Sequence, residues 1–475
     1  MPDDRKLDVA EPSTAVTRLA IVQFDAAGLG DRSYLVHDGD KAVVIDPQRD
    51  PGPYLAGAAG LGVEITMVLE THVHNDYVSG GLALARRANA TYGVPEGEPV
   101  DFAAESEALA EGDVLTAGSL TLTALSTPGH TPHHLAFLAE DGLGAAAVMT
   151  GGSLLAGATG RTDLSGDDRT TELAEAQWRS VRRLLDELPP TTAVLPTHGF
   201  GSFCSAGAHQ SSQSASLTVG DERGRNPAAL LELPAFVESL IGQRMPVPAY
   251  YRYMAPLNRA GAKEPQVGLP RTVSPDEVPV LVRSGAVVVD LRARRAFAGN
   301  HRRGALNIER GPDLPTYFGW LVPFTAPYVL VSDSPDEVID ACQLLSRIGR
   351  ESPLGWTPAG PLQRLHDEPP DHYKAREFAD LARRVQEGPL PSVLDVRFPY
   401  EWRSGHITGA RNVPLPEVAD AYQTLAQDEE IWVHCQSGFR AAIAASMLSG
   451  AGLFPLLLDD AFENAAGSGL DVVAE

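Results

Sequence analysis

One cysteine stands where a strand gives way to a helix. The segment EEIWVHCQSGFRAAIAASMLSGAG reads as an apolar strand, a six-residue loop from Cys435 to Arg440, and an alanine-rich helix. A thiol at that turn faces the unpaired N–H groups and the positive end of the helix. Those groups and Arg440 would stabilise a thiolate and then an anionic persulfide. Gln436, Ser437, Gly438 and Phe439 form the cradle, with Gly438 permitting the tight wrap. A lone cysteine is more often an inert core residue; this loop reverses that expectation. A second set of reactive residues is histidine-rich. ETHVHNDYVSGG carries His72, His74 and Asp76, TPGHTPHH carries His130, and LPTHGFGSFC carries His198. A single histidine is usually structural, but several on loops that follow strands can converge on one metal ion. His72, His74 and His130 could make a three-imidazole, zinc-type site with an open position, with Asp76 and His198 in a supporting shell or at a second metal. A metal-free domain that only binds partners is another reading.

These residues need a scaffold. From residue 18 the chain alternates short apolar runs (RLAIVQF, SYLVHD, KAVVIDP, ITMVLETH) with turn signals such as GLGD and DGD. SGGLALARRAN and ELAEAQWRSVRRLLDEL read as helices. This pattern predicts a layered α/β domain over 18–255, preceded by a flexible tail at 1–17. A Pro/Gly-rich linker is expected at 256–272 and a second linker-like stretch at 351–371. Residues 286–309 and 392–415 repeat one pattern: strand, D-x-R, charged helix, H-x-x-G-A-x-N. That predicts two copies of a small α/β domain, at 273–370 and 375–475. In the first copy Ser332 and Asp333 stand where a nucleophile would sit, and Cys342 falls at helical spacing with Leu344 and Leu345, so that copy is expected to be inactive.

The bulk numbers narrow the classes. The 475 residues carry a net charge of −24, which disfavours nucleic acid and anionic membrane surfaces as partners. Three cysteines are no disulfide framework, the acidic N-terminus lacks a signal-like apolar region, and no stretch approaches the roughly 18 apolar residues of a spanning helix. A cytoplasmic location is the simplest expectation.

The last hundred residues resemble the rhodanese family. The resemblance rests on the D-x-R strand end (Asp395, Arg397), the GHITGA turn (His406, Gly409, Ala410) and the C-x-x-x-x-R loop. A phosphatase family shares that fold with a loop one residue longer, so six residues favour sulfur. Residues 18–255 resemble the metallo-β-lactamase superfamily, with its H-x-H-x-D-H signature, and more closely its persulfide dioxygenase branch, through VIDP, THVHND, STPGHT and GRTDL. The resemblance implies an αββα sandwich followed by two rhodanese-like α/β domains, and sulfane-sulfur metabolism. A dioxygenase would oxidise a thiol persulfide to sulfite, and a rhodanese would pass sulfur through a Cys435 persulfide. The implied cofactor is one metal ion, Fe(II) or Zn(II), in the N-terminal domain, weakly held or absent. The implied partners are small-molecule thiol persulfides, thiosulfate and sulfite; self-association into a homo-oligomer is left open. In that branch iron is held by the residues matching His72, His130 and position 152. Here position 152 is Gly152, so the carboxylate of the triad is missing. Tyr77 replaces the last histidine of the signature. Restoring an aspartate at 152 is expected to raise iron occupancy. Arg161, in the GRTD segment, is expected near the carboxylates of a thiol substrate, or in an ion pair with Asp163.

Overall fold

The computed structural model describes residues 19–140, 144–199, 201–206, 217–242, 245–362 and 370–474; the expected tail at 1–17 lies outside them. Two sheets form the N-terminal domain. One runs in chain order through Ala20–Ala26, Asp31–His37, Lys41–Ile45, Glu64–Leu69, Thr91–Pro95 and Glu107–Leu109. The other has the order Ala193–Pro196, Ala145–Gly151, Leu135–Glu140, Leu120–Ser126, Val114–Ala117. Successive strand residues point to opposite faces, and the cores divide accordingly. Tyr34, Val36, Val43 and Ile45 meet Leu122, Phe137 and Met149 between the sheets. Their neighbours Leu35, Val44 and Val68 pack outward with Tyr54 and Ala58 of helix Gly52–Leu61 and Leu82 and Ala85 of helix Gly81–Ala88. On the far side, Val148 and Val194 pack with Val181, Leu184 and Leu185 of helix Thr170–Glu187. Helix, sheet, sheet and helix are thus stacked, with the central strands apolar on both faces.

The helix Tyr251–Ala260 runs into the expected linker, carrying Pro256 inside it, and ends at Gly261 in the left-handed region with φ 76°. The linker therefore begins after 260, not at 256; an αL glycine is the usual helix stop. The next unit has four parallel strands in the order Leu306–Asn307, Val287–Asp290, Tyr328–Val331, Gly355–Thr357. Gly355–Thr357 lies inside the expected linker at 351–371, so part of that stretch is an edge strand. The C-terminal unit repeats the order as Arg411–Asn412, Ser392–Asp395, Glu430–His434, Phe454–Leu458, and adds Lys374–Arg376 at the edge.

The repeat extends to hydrogen bonds. Arg292 pairs with both oxygens of Asp290 as Arg397 does with Asp395. The Asn307 amide donates to the carbonyls of Asp290 and Arg292, and the Asn412 amide to those of Asp395 and Arg397. His301 Nδ1 meets the Phe297 carbonyl and His406 Nδ1 the Trp402 carbonyl, each four residues back.

One apolar cluster includes residues of all three units. A Cβ on Gly28 would stand 1.5 Å from the Pro312 carbonyl oxygen, so glycine is required for that close approach. The Thr316 hydroxyl donates to the Gly28 carbonyl at 2.8 Å, and Arg49 pairs with Glu351 at 2.8 Å. Among the described residues no helix is long and apolar enough to cross a membrane.

Candidate functional sites

Three strands of the N-terminal domain, Glu64–Leu69, Leu120–Ser126 and Ala193–Pro196, end in the loops that carry its clustered histidines. Asp46 clamps two of those loops. Its carboxylate accepts from the Thr71 amide and hydroxyl, both at 2.7 Å, and from the Thr197 hydroxyl. Asp46 itself adopts a φ of 52°, a region that aspartate tolerates better than most residues. His72 and His198, the residues following the two threonines, are thereby brought together with their Nε2 atoms 3.2 Å apart. His198 Nδ1 lies 2.8 Å from Asp31 and 3.2 Å from Asp76. Ser202 donates to Asp76 at 3.1 Å. His130 Nδ1 donates to the Arg161 carbonyl at 2.8 Å, which leaves Nε2 as a bare lone pair.

The electrostatics follow from burial and neighbours. Burial, then adjacent histidines, pulls His72 and His134 well below the ordinary imidazole value; burial and His198 take His130 down to about 3. These rings are neutral at pH 7, the state a metal requires. Burial opposes a charge on His198 and His74 too. Asp76 and Asp31 outweigh it for His198, raised to about 10, and Asp46 and Glu70 outweigh it for His74, raised to about 9.

This donor set fits a metal ion. His130 Nε2, Asp31 Oδ2 and Asp76 Oδ1 are buried without a hydrogen-bond partner, a concentration of unmet acceptors that native proteins rarely tolerate. Two imidazole nitrogens 3.2 Å apart match the edge of a tetrahedral centre with ligand bonds of about 2.0 Å. The grouping differs from the expected His72–His74–His130 set. His72 and His74 fall together with His198, whereas His130 groups with His198 and Cys204. His74 directs Nε2 to the Tyr77 hydroxyl (2.9 Å), Asp46 (3.3 Å) and Glu70 (3.3 Å), which makes it a partner of those carboxylates. His198 and Asp76, expected in a supporting shell or at a second metal, lie in the middle of the cluster. Asp31, Asp46, His134 and Cys204 went unnoticed in the sequence as site residues.

Gly152 sits against the cluster. Its amide donates to His134 Nε2 at 3.0 Å. A Cβ there would meet His130 Cδ2 at 2.2 Å, so the imidazole occupies the space an aspartate side chain would need. Arg161 is buried in a two-point ion pair with Asp163 (2.6 and 2.8 Å) and donates to the carbonyls of Phe203, Met245 and Pro246. The cations that do line a cleft beside the cluster are Arg169, Arg252 and Arg259; the cleft holds about 520 Å³ and reaches Val73, Asn75 and Thr131 of the histidine loops.

In the C-terminal unit, Cys435 follows the strand Glu430–His434 and precedes the helix Phe439–Gly450, whose first turn has amides with no intrahelical acceptor. Gly438 takes φ 86°. Arg440 holds both oxygens of Glu401 at 2.6 Å. Gln436 accepts from the Phe462 amide, Phe439 packs on Tyr317, and Arg294 of the middle unit donates to the Ser437 carbonyl at 2.9 Å. In the middle unit Ser332 takes the corresponding place after Tyr328–Val331 and donates to Glu337 at 2.7 Å. Cys342 lies buried on the helix Pro335–Ser346, and burial pushes its thiol up to about 11. After thiosulfate treatment, intact-mass and peptide analysis should find an added sulfur on Cys435 and none on Cys342. A stable persulfide at Cys342 would overturn the assignment of a silent middle unit.

Two family models match the chain: the metallo-beta-lactamase superfamily over residues 29–198 and the rhodanese-like domain over 377–466. The chain is similar to the hydroxyacylglutathione hydrolase of Methylococcus capsulatus (34% identical over 209 residues, 44% of this chain and 72% of that protein). It is also similar to the human mitochondrial persulfide dioxygenase ETHE1 (28% over 242 residues, 50% of this chain and 84% of that protein). It spans only 62–63% of the length of several other hydroxyacylglutathione hydrolases that it matches. A crystal structure of a metallo-beta-lactamase from Staphylococcus aureus superposes with a TM-score of 0.64 at 26% identity, covering 72% of this chain and 99% of that one. That is more of the chain than the N-terminal domain alone makes up.

Proposed function

The chain belongs to the metallo-beta-lactamase superfamily and ends in a rhodanese-like domain, and from that premise we propose that it couples oxidation of a thiol persulfide in the N-terminal domain to sulfur transfer at Cys435. One observation carries this reading. The loop that bears His198 also bears Phe203, whose ring packs on Trp320 (4.7 Å) of the middle unit and on Phe398 (5.5 Å) of the C-terminal unit. The Arg440 guanidinium lies 5.5 Å from the same Phe398 ring. The loop of the histidine cluster and the surroundings of Cys435 thus belong to one buried apolar cluster, which ties the two sites into one body.

The overall oxidation balances as RSSH + O2 + H2O giving RSH, sulfite and two protons. A bound metal ion would supply the site for dioxygen activation. We take His72, His130 and His198 as the residues that would hold it, with Asp31 and Asp76 beside His198 Nδ1 and the extra His198 proton displaced on binding. Arg169, Arg252 and Arg259 would bind the carboxylates of the thiol. In the transfer, the Cys435 thiolate attacks the outer sulfur of a persulfide. The S–S bond breaks, the thiol leaves and takes up a proton, and a Cys435 persulfide remains. Sulfite attacks its outer sulfur, forming thiosulfate and returning the thiolate. The helix-start amides and Arg440 hold the anion at both stages.

Gly152 and the likeness to hydroxyacylglutathione hydrolases favour a second reading, a zinc-bearing, hydrolase-like N-terminal domain. Metal analysis of the purified chain with oxygen uptake on a thiol persulfide separates them. The first reading expects one iron per chain and persulfide-dependent oxygen uptake. Zinc without uptake supports the hydrolase-like site, and no metal leaves a pseudo-enzyme that only binds sulfur carriers beside the sulfurtransferase.

A further inference from the structure

The N-terminal cluster lacks a carboxylate at 152, yet a thiol stands beside it. One ligand atom each from His130, His198 and Cys204 lie within 4.8 Å of one another, and all three residues are buried. The backbone fixes this placement. The Arg161 amide donates to the Cys204 carbonyl at 3.0 Å, while the Arg161 carbonyl accepts from His130 Nδ1 at 2.8 Å. One residue thus locks the thiol and the imidazole into a common frame. The pairing of Gly160 with Ser205 extends it by one rung. The Cys204 amide is held in turn by Ser202, which donates to Asp76.

An independent observation points to a ligand. His130 Nε2 is fully buried, has no hydrogen-bond partner, and belongs to the same group as Cys204. Cys204 borders the apolar cluster, yet it has a ligand atom within 4.8 Å of ligand atoms of His130 and His198, and its amide is held by Ser202. We propose that Cys204 is the anionic metal ligand of the N-terminal centre, acting with His130 and His198 in place of the carboxylate missing at position 152. The proposal rests on the reading that this cluster holds a metal ion. On binding, the thiol gives its proton to solvent and the sulfur lone pair goes to the metal, a charge balance a carboxylate would otherwise provide. A thiolate also shifts the site toward softer borderline cations such as zinc and cobalt.

The test uses the full chain in a Cys435→Ser background, so that the C-terminal thiol contributes nothing. The protein is stripped with a chelator and loaded with one equivalent of Co(II). A thiolate-to-cobalt charge-transfer absorption in the near ultraviolet is expected. Adding Cys204→Ser should remove that band and weaken metal retention against a competing chelator by roughly tenfold or more, since even supporting-shell changes cost that much. Should the serine variant fold poorly, Cys204→Asp serves in its place: it should keep the cobalt and lose the band. Bound cobalt without the band, or a band that survives either substitution, overturns the assignment of Cys204 while leaving a metal centre in place. A chain that binds no cobalt, and whose metal content is unchanged by His130→Ala, overturns the metal reading and this inference with it.

Discussion

Cys435→Ser should abolish sulfur transfer from thiosulfate or a thiol persulfide, lowering turnover by several orders of magnitude. The fold should survive, because the exchange is nearly isosteric and leaves the Asp395–Arg397–Asn412 frame untouched. Arg440→Ala is the informative companion. The amides of the helix start remain, so only one donor group of the anion site is lost, and the expected cost is about 2–4 kcal/mol of transition-state stabilisation. Arg440 does not stand free in the loop: both its terminal nitrogens are held by Glu401 at 2.6 Å. Removing the guanidinium also strands that carboxylate, so a fall in melting temperature should accompany the rate loss. Turnover with serine at 435 that stays near the wild-type rate would remove Cys435 from the mechanism.

Gly152→Asp should lower metal occupancy, against the expectation drawn from the resemblance to the persulfide dioxygenase branch. By that resemblance an aspartate completes a ligand set. In the folded chain its Cβ would stand 2.2 Å from His130 Cδ2 and 2.7 Å from Nε2. The ring cannot yield cheaply, because its Nδ1 is committed to the Arg161 carbonyl. Breaking that bond in a buried site costs about 1–3 kcal/mol and the overlap about 1–3 kcal/mol more. The strand behind is equally tight, since a Cβ on Gly160 would lie 2.0 Å from the Gly152 carbonyl. Gly152→Ala carries the same steric load without a carboxylate and should behave alike. Metal content and thermal melting of both variants decide the matter. If the aspartate variant holds more iron than wild type while the alanine variant holds less, the carboxylate outweighs the crowding and the site is not closed at 152.

The legible and illegible parts of the chain differ in range. The Cys435 loop was readable because strand, loop, arginine and helix are contiguous, and helix-start physics acts within one turn. The sandwich was readable because its apolar runs are short and turn-bounded. The histidines could be collected from the sequence but not grouped. Spacing makes His72 and His74 look equivalent, yet Glu70, four residues before His74, and Asp46, from an earlier strand, draw it into a separate ion-paired arrangement. Asp31 reads as a turn residue in GLGD and Asp46 as the end of VIDP; only tertiary contact turns the first into a partner of His198 and the second into the clamp on two loops. Pro256 disguised the end of a helix, and the glycines and prolines around 351–360 disguised an edge strand.

The wedge of Gly28 against the Pro312 carbonyl bears on how the molecule comes apart. An ordinary linker would let three units melt separately. Here the contact admits no extra methyl group, and the apolar cluster behind it contains residues from every unit. Opening any one unit exposes apolar surface on the other two. The thermodynamic consequence is cooperativity: a chain of this length would otherwise show several calorimetric transitions, but these contacts bind its units toward a single one. The sulfur-transfer end then gains its resistance to local unfolding from the metal-binding end, and ligands that stabilise either raise the melting point of both.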